Sequence, residues 1–101
     1  MEIAREKITG EMEVPEEILK EVKNISDFKK KVEGSLTAKA TELLAVILGG
    51  AMALNASDIH IEPEEKEVKL RIRLDGVLHD VLTFDSKIYQ TLLSRIKLLQ
   101  D

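Results

Sequence analysis

The sequence predicts an α+β fold in which helices pack on one face of a three-stranded antiparallel sheet. From Val68 to Leu74 apolar and charged residues alternate strictly, which is the period of a half-buried strand. Asp75-Gly76 follows at once, and this dipeptide is a strong hairpin signal because both turn residues need a positive φ. Ahead of the strands, apolar residues recur at helical spacing over residues 40–54. These three observations set the fold class.

The remaining strands follow from the same alternation. In residues 57–62, Ile59 and Ile61 alternate with polar side chains, and Pro63 ends that strand because it lacks a backbone donor. A polar connection then leads to the strand that ends at Leu74. We therefore expect three strands with one apolar face and one charged face.

The length of the hairpin loop decides which side chains face each other. A two-residue loop at Asp75-Gly76 places Arg71 opposite Asp80 on the charged face. A three-residue loop with a bulge would shift the partners by one residue and bring Arg71 opposite His79. We prefer the two-residue loop.

The main helix is predicted to begin at Ser35 or Thr37 and to end at Asn55, which suits a left-handed C-cap. Gly49-Gly50 lies within it, where each glycine costs roughly 1 kcal/mol relative to alanine. This cost predicts close approach of another backbone, or a kink. The apolar stripe consists of Leu43, Ile47, Ala51 and Leu54, widened by Ala40, Leu44 and Leu48.

A last helix is predicted after the strands, capped by Asp85 or Ser86. Its apolar stripe consists of Ile88, Leu92, Ile96 and Leu99.

Residues 1–34 are predicted to be a lead-in followed by a helical arm. Residues 1–14 show no clean period, whereas Pro15 suits the first position of a helix. A second short helix, capped by Ser26 or Asp27, is expected to end at Gly34. The arm is either a solvated helical extension or a linker to an upstream domain. We favour the linker because this surface is rich in Lys and Glu.

Composition excludes several classes of function. At 101 residues the chain makes one domain, and with 44% hydrophobic but only 3% aromatic residues its core must be aliphatic. A formal net charge of −4 argues against a nucleic-acid partner, and the absence of cysteine rules out disulfides. The longest apolar run, residues 43–48, is far too short to insert across a membrane.

The string ASDIHIEP, followed by an R-x-R-x-D-G-V-L hairpin, resembles the small domain that precedes the motor domain in type II secretion and type IV pilus assembly ATPases. The resemblance covers roughly Leu43 to Leu99. It implies a PAS-like layout for residues 35–101, with residues 1–34 as arm or linker. No G-x-x-x-x-G-K-[ST] motif occurs in the sequence, so we expect no ATP hydrolysis by these residues alone.

The resemblance also implies a setting for the parent protein. Such ATPases work as hexameric rings in the cytoplasm, at the inner membrane, and use ATP and Mg. The expected partners are the motor domain of the same chain, neighbouring subunits and the inner-membrane platform proteins of the secretion or pilus system. No cofactor is expected in these residues themselves.

Three arginines are the candidate site residues. Arg71, Arg73 and Arg95 match basic positions of the family, and the resemblance implies that such residues approach nucleotide in the ring. Without the resemblance, Arg71 and Arg73 would be interpreted as a solvated sheet face.

No metal site and no catalytic residue are predicted. Asp58, His60 and Glu62 share a strand face. Alternation on any half-exposed strand produces such a row of polar residues by default. Two other functions stay open: a free-standing PAS-like sensor or adaptor, and a structural spacer.

Overall fold

The computed structural model describes residues 2–3 and 14–99 of the chain. Its helices and strands follow one another as β1 (Glu2–Ile3), α1 (Glu16–Glu21), α2 (Ile25–Ser35), α3 (Ala40–Ala53), β2 (Asp58–Pro63), β3 (Glu67–Leu74), β4 (Val77–Asp85) and α4 (Ser86–Leu99).

The sheet has the strand order β1-β2-β3-β4, and every neighbouring pair is antiparallel. The predicted three-stranded sheet is confirmed as β2, β3 and β4. The sequence did not predict β1, a two-residue strand on the free edge of β2 that places Ile3 opposite Ile59. The rest of the predicted lead-in, up to residue 13, lies outside the described residues.

The β3–β4 hairpin has the two-residue loop. Asp75 and Gly76 have φ angles of 49° and 81°, as the turn requires, and Leu74 pairs with Val77. The preferred register is confirmed, since Arg71 lies opposite Asp80.

A β-bulge interrupts this hairpin halfway along β4. Arg71 faces Asp80, but the preceding residue of β3 faces Leu82, so Val81 is the extra residue. Without the bulge, strict alternation would put Leu82 and Phe84 on the same face as Asp80. The bulge therefore keeps Asp80 on the polar face while Phe84 is buried in the core.

The α3 helix lies at the centre of the helical layer and packs against α1, α2 and α4. It begins later than predicted, with Lys39 as its N-cap. It ends as predicted, because Asn55 has a φ of 60°. The Asn55 N–H donates to the Met52 carbonyl at 3.0 Å and the Ala56 N–H to the Ala51 carbonyl at 2.9 Å, which is the Schellman pattern.

The two central glycines of α3 make room for side chains of α1 and α2. A β-carbon built on Gly49 would lie 2.6 Å from Val14 Cγ1 and 3.0 Å from Ile18 Cγ2, and one built on Gly50 would overlap the ring of Phe28. The predicted close approach is thus present, but it involves side chains and not another backbone.

The α1 and α2 helices share the core of the sheet and α3. Ile18, Val22, Phe28 and Val32 are buried in the same cluster as the apolar residues of β2, β3 and α4. Hydrophobic packing is therefore continuous across the predicted division at residue 34, and that division stays a prediction.

Capping at α2 differs from the prediction. Asn24, and not Ser26 or Asp27, is the N-cap: its Oδ1 accepts from the Asp27 N–H at 2.8 Å. The Asp27 carboxylate in turn accepts from the Lys23 N–H at 3.0 Å, so the two side chains satisfy donors on both sides of the helix start. Gly34 lies inside the last turn of α2 and does not end it.

Of the two predicted caps of α4, Asp85 precedes the helix, which begins at Ser86, and its Oδ1 accepts from the Lys87 N–H at 2.7 Å. The buried residues Leu92 and Ile96 of α4 join the core on the apolar face of the sheet. The opposite, polar face of β2, β3 and β4 carries the candidate site.

Candidate functional site on the polar face of the sheet

Three cationic side chains follow one another along β3. Lys69, Arg71 and Arg73 alternate with buried aliphatic residues and are themselves half-buried. Residues two apart on a strand lie about 6.6 Å from each other, so the cations form an evenly spaced row. We call Lys69, Arg71 and Arg73 the basic row.

The flanking strands place acidic and polar side chains beside the basic row. On β2, Asp58 pairs with Arg73, His60 with Arg71, and Glu62 with Lys69. The antiparallel register alone therefore brings a carboxylate of β2 within reach of each arginine, either directly or one diagonal step away.

Arg73 is held at the hairpin end of the row. Its Nε lies 2.9 Å from Oδ2 of Asp58, and its Nη1 donates to the Gly76 carbonyl oxygen at 3.3 Å. The same carboxylate oxygen accepts from the Ser57 hydroxyl at 3.3 Å. The Asp58 side chain is only 25% exposed, so this pair is the best shielded of the row.

Arg71 lies between two carboxylates. Its Nε is 2.6 Å from Oδ1 of Asp80 on β4, and its Nη1 is 3.5 Å from Oε1 of Glu62 on β2. The Arg71 side chain is 29% exposed, whereas Asp80 is 61% exposed. The guanidinium is thus partly covered while its closest counter-ion lies near the solvent.

Lys69 completes the row with longer contacts. Its Nζ lies 4.0 Å from Oδ2 of Asp80 and 4.0 Å from Oε2 of Glu64. Asp80 therefore bridges Lys69 and Arg71 with its two oxygens. Ion pairs this exposed contribute about 0 to 1 kcal/mol each, so they orient the side chains more than they stabilise the fold.

Arg95, the third candidate, is not part of the basic row. It is exposed on α4, whose buried side chains join the core on the other face of the sheet. Within residues 2–3 and 14–99 it has no ion-pair partner within 4 Å. The structure thus brings Arg71 and Arg73 together and leaves Arg95 separate.

Sequence reasoning found the Arg71–Asp80 pair and missed the contacts of both arginines with β2. The missing information was the β2–β3 register, because no dipeptide signal fixes the loop after Pro63. That loop closes with a hydrogen bond from the Glu64 N–H to the Glu67 carbonyl at 2.8 Å. Had this loop been assigned, the pairing of Asp58 with Arg73 would have followed by counting.

Two further properties concern only the described part of the chain. No group of three acidic, His or Cys side chains there is arranged to hold a metal ion. None of the helices there is both long and apolar enough to cross a membrane.

An apolar cavity of about 80 Å³ lies between α3 and α4. Leu36, Leu43, Ile88 and Leu92 contribute to its lining. Small-molecule sites usually have volumes of about 300 to 1,000 Å³, so this cavity is too small for an ordinary organic ligand.

The fold and the polar face together define an α+β module with a row of cations presented by a sheet. The chain belongs to the family described as "Type II/IV secretion system protein", whose sequence profile matches residues 34–101. The resemblance drawn from ASDIHIEP and the following hairpin is thereby confirmed.

Individual relatives agree with this assignment. The chain is 35% identical to the type IV pilus assembly ATPase PilB of Myxococcus xanthus over 93% of this chain and 16% of that protein. It is 41% identical to the type II secretion system ATPase E of Vibrio cholerae over 67% of this chain and 14% of that protein. It is 45% identical to the type II secretion system protein E of Pseudomonas aeruginosa over 61% of this chain and 12% of that protein. The chain therefore spans only a small part of the length of these relatives.

Proposed function

We propose that this chain is the small, non-catalytic domain that a type II secretion or type IV pilus assembly ATPase carries ahead of its motor domain. In this proposal, the domain forms part of the surface between subunits of a hexameric ring. The basic residues of the domain approach the nucleotide and Mg that are bound by a motor domain of the ring. The observation that carries the proposal is the family match over residues 34–101, and two relatives of this chain are named as ATPases.

The polar face supplies a physical reason for this role. Arg71 and Arg73 are held on a central strand that is paired on both sides, and guanidinium groups bind phosphate through paired, charge-assisted hydrogen bonds. A group positioned in this way can neutralise the charge that develops during phosphoryl transfer. Arg95 is a separate candidate because its guanidinium has no carboxylate partner among the described residues.

The setting of the parent protein follows from the same proposal. The domain would contact the motor domain of its own chain and neighbouring subunits. The ring would act in the cytoplasm, attached to the inner membrane through platform proteins of the secretion or pilus system.

The test is ATP turnover of the full-length ATPase that carries this domain, measured for Arg71→Ala, Arg73→Ala and Arg95→Ala. Losing an arginine that contacts the transferred phosphate costs on the order of a thousandfold in turnover. We expect a loss of this size for at least one of the three variants, with rings still assembled.

The matched control is Lys66→Ala, which removes an exposed cation of the β2–β3 loop that has no ion pair among the described residues. Normal turnover in all three arginine variants would reduce the domain to a structural spacer. In the 101-residue chain, Arg71→Ala and Arg73→Ala should each change the free energy of unfolding by about 1 kcal/mol or less. A larger loss would show that the arginines serve the fold.

A further inference from the structure

We infer that the Asp80 carboxylate occupies an anion site between Lys69 and Arg71 and competes there with phosphate. The inference rests on the proposed function for its natural ligand, the phosphate chain of a nucleotide. It adds that Asp80 is a regulatory counter-ion, displaced when phosphate binds.

Asp80 is held between two cations by charge and not by a hydrogen bond, because Arg71 Nε has no hydrogen-bond partner in the described part of the chain. One oxygen lies 2.6 Å from Arg71 Nε and the other lies 4.0 Å from Lys69 Nζ, so a single carboxylate bridges two adjacent cations of the basic row. Phosphate carries more charge and more acceptor oxygens than a carboxylate, and it binds guanidinium groups more strongly. The two cations therefore already form a cradle that fits an anion of this kind.

Asp80 differs from the other carboxylates of the face in how easily it can leave. Its side chain is 61% exposed, against 40% for Glu62 and 25% for Asp58. It also lies on β4, an edge strand of the sheet, directly before the bulge residue Val81. Bulges re-aim side chains and interrupt the ladder, and here the residue after Asp80 has no partner on β3.

The carboxylates around the basic row offset its charge and oppose the binding of an anion there. The basic row carries three positive charges, and Asp58, Glu62, Glu64 and Asp80 place four negative charges within 4.0 Å of it. Phosphate contact with Arg71 must therefore displace Asp80 or accept its repulsion. Glu62 stays with Arg71 and Asp58 stays with Arg73, so both guanidinium groups keep their orientation when Asp80 leaves.

The experiment measures binding of inorganic pyrophosphate to the 101-residue chain, using the arginine Nε–H signals in NMR titrations at low ionic strength. Removing one unit charge about 4 Å from a bound anion changes its affinity about fivefold even in a medium as polar as water. We expect Asp80→Asn to bind pyrophosphate at least about fivefold more tightly than the unaltered chain. The gain should be lost in the double variant with Arg71→Ala.

The matched control is Glu65→Gln, which removes the same charge from the exposed β2–β3 loop, where that side chain has no ion pair among the described residues. We expect its affinity to stay within about twofold of the unaltered chain. Equal gains in both variants would show only a net-charge effect and would overturn the inference. So would a gain in Asp80→Asn that survives the loss of Arg71.

Failure of this inference can be distinguished from failure of the proposed function. A turnover loss in the Arg71→Ala ring without tighter pyrophosphate binding by Asp80→Asn would overturn the inference and leave the function intact. Tighter pyrophosphate binding with normal turnover in all the arginine variants would retain the anion site and reject the nucleotide role.

Discussion

Gly50 offers the sharpest test of how the helices pack. A β-carbon at this position would overlap Cδ1 and Cε1 of Phe28 and lie 3.2 Å from its Cγ, and the Phe28 ring is fully buried. Because the ring is fully buried, relieving the overlap requires the ring to move within the core and α2 to shift against α3. Overpacking of a core typically costs about 1 to 3 kcal/mol. Replacing a mid-helix glycine gains back roughly 1 kcal/mol or less in helix propensity.

For Gly50→Val the overpacking dominates, because two further methyl groups enter the same space and a β-branched residue gains little propensity. We expect a net loss of about 2 kcal/mol in the free energy of unfolding. For a chain of this size, that corresponds to a melting temperature lowered by roughly 8 to 16 °C. Thermal unfolding followed by circular dichroism measures the change.

Gly34→Ala is the matched control, since Gly34 is also helical but a β-carbon added to it would meet no other atom within 4 Å. It should raise stability by up to about 1 kcal/mol. A Gly50→Val variant that melts at or above the temperature of the unaltered chain would refute the close packing of Phe28 on α3.

Three other predictions concern the caps, the hairpin and nucleotide. Asn24→Ala should lower the free energy of unfolding by about 1 kcal/mol in urea titrations, since it removes the acceptor of the Asp27 N–H, while Ser26→Ala should leave it within about 0.5 kcal/mol. Gly76→Ala should cost about 1 to 2 kcal/mol because φ is 81° there, and an unchanged urea midpoint would contradict the turn geometry. The 101-residue chain should neither hydrolyse ATP nor bind it at micromolar concentrations, because it lacks a P-loop motif; a micromolar dissociation constant by calorimetry would contradict this.

Local signals in the sequence were sufficient for the strands, the hairpin register and the end of α3. Asp75-Gly76 and Asn55 each dictate a left-handed backbone, so a dipeptide or a single residue carried the prediction. No local signal in the sequence predicts the bulge at Val81. The bulge allows Phe84 to be buried while Asp80 stays on the opposite face of the sheet. Such a need arises only from tertiary packing.

The helices show the same limit. Asn24, Ser26 and Asp27 are all good cap residues, and residue preference alone did not show that the Asn24 side chain accepts from the Asp27 N–H. Likewise, the contacts of Arg71 and Arg73 with β2 depend on a loop without a turn signature. Local chemistry thus predicts single elements well, whereas contacts between elements depend on packing that one sequence does not display.

The central claim is that this domain completes a nucleotide site in a ring, and a mixed-ring experiment tests it most directly. One subunit carries the arginine-to-alanine change that abolishes turnover and keeps an intact motor domain. The other keeps Arg71, Arg73 and Arg95 but has an inactivated P-loop. If the domain acts on the nucleotide of a neighbouring subunit, ATP turnover should reappear in mixed rings although neither pure ring is active. Mixed rings that assemble and stay inactive at every ratio would contradict action between subunits.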